Sequence, residues 1–175
     1  MDSGFRRNAG WGRGRKMIDL YEKIKGQQPK NVRLMGLDLG SKTIGVAVSN
    51  QDQTIASALT TIERTKFSRD LDALGKIAKE YEIGGIVLGW PLNMDGSISP
   101  RCDSTRSFAD ELAKYPHVLG MEEGTEMWIA LADERLSTQS VEEFLVKDVD
   151  MSRTKRKQVV DKLAAQVILQ SVLDV

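Results

Sequence analysis

The sequence predicts an α/β protein built on a mixed five-stranded sheet, three antiparallel strands followed by alternating helix and strand, with helices on both faces. Three observations carry that expectation. The apolar run Leu34 to Leu39 returns as Ile44 to Val48 across the turn Gly40-Ser41-Lys42-Thr43, a hairpin pattern. Ile83 to Gly89 is an uninterrupted apolar stretch, as in a strand covered on both faces. Around these strands the apolar residues switch to helical spacing, so that strands and helices alternate along the chain.

Taken in order, the stretch before Met17 is rich in glycine and arginine and lacks periodicity, so it reads as disordered. It is either a flexible arm that adds phosphate affinity or an upstream extension with Met17 as the natural start, and the second reading is favoured. Met17 to Lys25 can form a short helix, which completes a basic extension over residues 1–30. The hairpin follows, and Thr54 to Thr61 supplies a third strand. Ser68 opens a helix whose Leu71, Leu74, Ile77, Ala78 and Tyr81 keep helical spacing. After the strand Ile83 to Gly89, Trp90-Pro-Leu-Asn-Met-Asp-Gly-Ser forms a loop, and Ser99-Pro100 signals a helix from Arg101 to Lys114. Glu126 to Ala132 is the fifth strand. Ser137 or Thr138 caps a helix to Lys147, and Lys157 to Leu173 closes the chain. Residues 31–175 therefore read as one domain.

Composition narrows the function. The 175 residues are 41% apolar and 29% charged, and no apolar run approaches the roughly 18 residues of a membrane span. One cysteine, Cys102, makes no internal disulfide, and a reducing cytoplasm is the default. His117 is the lone histidine, so a zinc site or a histidine triad lacks raw material. Net charge is zero, yet residues 1–30 hold eight Lys/Arg against three acids, leaving −5 on the other 145. An acidic body suits nucleic acid only where cations neutralise a carboxylate cluster and the basic groups gather on one face.

Such a cluster has three sources. Asp38 interrupts an apolar strand, where a lone carboxylate costs several kcal/mol unless a metal, a cation or hydrogen-bond donors compensate it. It is a metal ligand or phosphate-site acid, or else an edge-strand aspartate that reaches solvent. Asp133-Glu134-Arg135 follows directly on the apolar strand. Asp161 shares a helical face with Ala164, Ala165, Ile168 and Val172, so it points toward the sheet over small side chains. Read alone it would be a first-turn acid serving the helix dipole. Gathered together, these carboxylates call for one or two oxygen-preferring cations, Mg²⁺ or Mn²⁺, and two such ions would support phosphodiester hydrolysis. Asp38, Glu134 and Asp161 are thus the catalytic candidates, and Asp133 is a further metal candidate.

The basic residues fit a phosphate-rich polymer. Lys42 lies in the turn after Asp38, and Arg153, Lys155, Arg156 and Lys157 precede Asp161. Asn93, Asp95, Arg101 and Arg106 either order phosphates or belong to a plain strand-to-helix connection. Arg135 follows the central acids.

Four ordered blocks resemble the YqgF/RuvX family: Gly36-Leu-Asp38-Leu-Gly-Ser-Lys-Thr-Ile-Gly-Val-Ala-Val, Val87-Leu-Gly-Trp-Pro-Leu-Asn-Met-Asp-Gly-Ser, Asp133-Glu-Arg-Leu-Ser-Thr and Val160-Asp161-Lys-Leu-Ala-Ala-Gln-Val-Ile-Leu-Gln. The resemblance runs from Asn31 to the C-terminus. It implies a ribonuclease H-like fold and a cytoplasmic bacterial nuclease of 5′-end processing of pre-16S ribosomal RNA; relatives are also described as Holliday-junction resolvases. By motif position Asp38 matches the family's first-strand acid, Asp133-Glu134 its middle acid, with Glu134 preferred, and Asp161 its last-helix acid. Trp90 departs from the smaller aliphatic residue usual before the proline, and the first thirty residues have no family counterpart. Nucleic acid is the expected partner, precursor rRNA ahead of branched DNA, for a monomer or homodimer. A resolvase, a noncatalytic RNA-binding assembly module and an actin-like ATPase are the competing functions. The last needs two such domains, and the retained acids argue against the second.

Overall fold

The computed structural model describes residues 17–134 and 153–174. Its strands are β1 (Met17–Leu20), β2 (Arg33–Leu39), β3 (Thr43–Ser49), β4 (Ala56–Glu63), β5 (Ile83–Trp90) and β6 (Trp128–Asp133). Its α-helices are α1 (Tyr21–Ile24), α2 (Phe67–Glu80), α3 (Pro100–Leu112) and α4 (Arg153–Leu173). The strands form one sheet in the order β1-β6-β5-β2-β3-β4. β2, β3 and β4 are an antiparallel meander, while β5 joins β2, β6 joins β5 and β1 joins β6 in parallel. An antiparallel meander extended by parallel strands from its first member is the ribonuclease H-like arrangement.

The sheet has six strands rather than the five expected. Met17–Leu20, read from sequence as part of a short helix, is the edge strand β1, in register from Met17 opposite Trp128 to Leu20 opposite Leu131. Four residues are too few to show a period, and the pairing partner lies more than a hundred residues away, so no local signal marks this strand. The helix reduces to the single turn α1. Trp128 fixes it by donating from Nε1 to the Ile24 carbonyl at 2.8 Å, with Tyr21 edge-on to the indole at 6.3 Å. The third strand begins two residues later than expected, and α4 starts at Arg153 rather than Lys157. The helix expected from Ser137 or Thr138 to Lys147 lies outside the described residues, as do residues 1–16.

The two faces of the sheet differ in side-chain size. Under α2 and α3, Met35, Leu37, Ile44, Val46, Ile86, Leu88 and Ile129 interlock with Leu74, Phe108 and Leu112. Each large buried side chain contributes about 1.5–3 kcal/mol, so this face holds the main core. The opposite face presents Ala47, Ala130 and Ala132 to Ala165, Ile168 and Leu169 of α4. It also presents Gly36, where an added Cβ would lie 2.7 Å from the Leu169 Cβ. Small residues here let α4 approach the strands closely.

Polar contacts fix α4 along its length. Gln170 accepts from the Ala56 amide at 2.8 Å and donates to the Thr54 carbonyl at 3.0 Å, while Gln166 donates to the Ala56 carbonyl at 3.2 Å. Thr61 Oγ1 donates to the Gln158 carbonyl at 2.6 Å. These bonds satisfy backbone groups at the open edge of β4 and set the register at which α4 crosses the sheet.

Candidate active site

Alternation along the strands decides which acids meet. Successive side chains of a strand point to opposite faces, so Leu34, Gly36 and Asp38 of β2 all look toward α4. Asp38 stands opposite Gly45 across the antiparallel pair. On its other side β5 continues past the Leu37–Leu88 register position to Gly89. Asp38 is therefore flanked by two positions without a side chain.

Each gap is filled by a functional group. The carboxylate of Glu134 folds back so that Oε2 occupies the space a Cβ on Gly89 would need. Over Gly45 lies the backbone of α4, with the Asp161 carbonyl where a Cβ would stand. Glycine inside a strand marks close approach of another group, and here it brings in the second and third acids. Ala130, Ala132 and Glu134 continue one face, whereas Asp133 falls on the other and is exposed. The structure thus brings Glu134, not Asp133, to Asp38.

Burial, the neighbouring Glu134 and Asp161 charges and a hydrogen bond donated to Glu134 push the Asp38 carboxyl up to about 7, with Arg101 opposing. Burial also raises Glu134, and the Asp133 charge adds to this, while Arg101 and the hydrogen bond from Asp38 pull it down. Arg101, a predicted substrate residue, stands beside the pair, and its guanidinium donates to the Leu39 carbonyl at 3.0 Å. Asp161 is 7% exposed and accepts a hydrogen bond from Thr43 Oγ1; Lys157 Nζ is 3.9 Å from its other oxygen. With that carboxylate turned to Thr43, no three His, Cys, Asp or Glu side chains among the described residues are gathered, as they stand, into a group that could hold one cation.

The raised carboxyl has a thermodynamic consequence. Asp38 keeps its proton in the folded chain up to about pH 7 but loses it near pH 4 once unfolded, so the native state binds more protons between those values. Stability in EDTA is expected to fall by several degrees of melting temperature from pH 5 to pH 8, read by scanning calorimetry. Saturating Mn²⁺ is expected to reverse the loss at pH 8, because a cation that binds only the folded pair stabilises it. A flat profile in EDTA would contradict the shared-proton pair.

The other predicted residues divide. Lys42, Arg153 and Lys157 line an open groove of about 540 Å³ beside Asp161, together with Arg64, which sequence reasoning missed. Lys155 and Arg156 are exposed at the start of α4. Asn93 donates to Ser97 Oγ at 2.9 Å, and Asp95 accepts from the Ser97 amide at 2.9 Å, so both close their own loop, in keeping with the plain reading. Arg106 pairs at 3.9 Å with Asp110 one turn along α3. Arg135 lies outside the described residues. Trp90, the departure in the motif, packs against the α2 and α3 core, on the face away from the acids. Thr43, Gly45 and Gly89 were also missed; the one available signal was glycine recurring within apolar strands.

An antiparallel meander with parallel extensions, carrying acids on its first strand, beyond its last described strand and on the closing helix, defines the class of ribonuclease H-like nucleases. The RuvX family profile, described as Holliday junction resolvase, matches residues 32–175, and the chain belongs to this family of nucleases. A protein of Phenylobacterium zucineum named "Putative pre-16S rRNA nuclease" is 48% identical over 158 residues, covering 90% of this chain and 96% of that one. One of the same name from Rhodospirillum centenum is 46% identical, covering 86% and 78%. Among solved structures, the chain is similar to T. thermophilus RuvC in complex with Holliday junction substrate, at 10% identity and TM-score 0.47, covering 82% of this chain and 94% of that one. No helix of the described residues is long and apolar enough to cross a membrane.

Proposed function

We propose that this chain is a divalent-cation-dependent nuclease that hydrolyses phosphodiester bonds in structured nucleic acid, with the 5′ end of precursor 16S ribosomal RNA as its substrate in the bacterial cytoplasm. The observation that carries this is the Asp38–Glu134 pair, two largely buried carboxyls held against each other beside Arg101, with Asp161 seated next to them on α4. An all-oxygen donor set of this kind fits Mg²⁺ or Mn²⁺. Asp38 and Glu134 would hold the cation, and Asp161, bonded to Thr43, would add its negative charge nearby. When bound, such a cation would supply activation of water and stabilisation of the leaving oxygen. Arg101 meanwhile orients a phosphate against the acids, and Thr43 holds the Asp161 carboxylate toward the sheet. The names carried by close relatives support the precursor RNA as substrate.

The neighbouring acids Asp133 and Glu134 give a sharp test. Glu134→Gln is expected to reduce cleavage of precursor 16S RNA in Mg²⁺ or Mn²⁺ by about 10²–10³-fold, the usual cost of removing one charge-stabilising group. Asp133→Asn is expected to stay within a few-fold of wild type. Equal activity of wild type and Glu134→Gln would overturn the assignment. A four-way DNA junction serves as the parallel substrate, since the family description names it. Cutting both of its strands needs two copies of the site, so junction resolution is expected only from a dimer.

A further inference from the structure

We infer that the groove beside Asp161 is a backbone subsite, which takes the phosphates of one strand on one flank of the acids and does not read bases. The inference rests on the nuclease reading above and assigns the path of its substrate. The groove lies between the turn after β2, the end of β4 and the start of α4, with about 540 Å³ of space open to solvent. Lys42, Arg64, Arg153 and Lys157 line it against one acid, Glu63, so its field is positive although the chain is neutral overall. The remaining lining is hydroxyl and amide groups. Among the described residues that line the groove none is aromatic, so its described wall offers no stacking platform of the kind that holds single-stranded bases. Phosphate contacts of this kind fix position and carry no sequence information.

Arg64 makes the groove a built feature rather than a chance gathering of flexible cations. Its guanidinium donates to the Gly40 carbonyl at 2.5 Å, stands 3.9 Å from the buried Asp70 and lies 5.7 Å over the Phe108 ring. A guanidinium held in this way loses little freedom when a phosphate arrives. The same contacts brace the turn that follows Asp38, so the positive wall and the first acid are positioned together. In the sheet order, Glu134 follows β6 on one side of Asp38, and the groove lies along β3 and β4 on the other. A strand crossing the acids therefore leaves through the groove on a single side.

The test uses the full chain carrying Asp38→Asn and oligonucleotides that span the precursor cleavage point, in RNA and in DNA of one sequence. Single linkages are replaced by neutral methylphosphonates, or single bases are removed, and binding is followed by fluorescence anisotropy. Neutral linkages at a few consecutive positions on one flank are expected to weaken binding several-fold in both polymers, while base removal at those positions leaves it unchanged. The pair Lys42→Ala and Arg153→Ala, both at exposed positions, is expected to erase this sensitivity and to lower the salt slope by about 1.4, or 0.7 per charge on a single strand. Equal sensitivity on both flanks, weakening by base removal, dependence on the 2′-hydroxyl, or an unchanged slope in the double variant would each overturn the assignment. The one-sided pattern in a protein whose wild type cleaves nothing would support the groove and sink the nuclease reading instead.

Discussion

Gly45→Ala is expected to lower the melting temperature by roughly 6–12 °C and to remove cleavage, although it adds one methyl group. The methyl would fall on the carbonyl of Asp161 and close to the Lys162 amide, which are helix backbone atoms and cannot swing aside. α4 would have to lift from β3, and the glutamine bonds along β4 oppose that movement. Overpacking against a rigid neighbour costs about 3 kcal/mol, the upper end of the usual range, and a chain of this size loses about 2–4 °C per kcal/mol. Cleavage goes with it because Asp161 rides on the displaced segment. Gly89→Ala is the informative contrast. Its methyl meets the carboxylate end of Glu134 and the Cδ1 tip of Ile168, both of which can rotate away. A smaller melting shift with a comparable loss of cleavage is therefore expected. Thermal unfolding and a cleavage assay on both variants decide the matter; wild-type melting of Gly45→Ala would refute the close approach of α4.

Asp38→Asn is expected to abolish cleavage, by about 10³-fold or more, while raising stability in EDTA at pH 8. The two effects have one cause. In the metal-free chain Asp38 is buried beside Glu134 and near Asp161, so ionising it is unfavourable and its carboxyl holds a proton to about 7. An amide of the same shape carries no charge at pH 8 and can still donate to Glu134, which removes the repulsion. Below pH 4 both the wild-type carboxyl and the amide are neutral, so the melting temperatures are expected to converge there. Functional sites commonly sacrifice stability in this way. A variant less stable than wild type at pH 8 in EDTA would show that the pair is not under electrostatic strain.

Much of this site was legible before the structure. Asp38 announced itself because a charge in an apolar strand requires a partner, and Asp161 because the residues spaced behind it are alanine, isoleucine and valine on one helical face. Residue pattern and start signals also placed the hairpin, the covered strand at Ile83 and helices from Ser68 and Arg101, each of which begins one residue earlier in the structure. The choice between Asp133 and Glu134 was harder, since Ile129 and Leu131 alternate with Ala130 and Ala132 and both faces of β6 are apolar. Only the packing of α4 shows that the alanine face looks toward the acids. β1 escaped because four residues paired with a distant strand leave no local pattern.

The sequence by itself determined the class of fold and the family and singled out the acids at 38 and 161 as candidates, because these depend on residue types and short-range spacing. Tertiary structure decided that Glu134 rather than Asp133 reaches the centre, that Asn93 closes its own loop, and that Arg64 joins Lys42 and Arg153 in one groove. It also showed why Gly45 and Gly89 are glycines: the Asp161 backbone and the Glu134 carboxylate occupy the space their side chains would need. Close approach between segments remote in the chain has no period and no neighbour rule, so it becomes visible only when the helix is laid on the sheet.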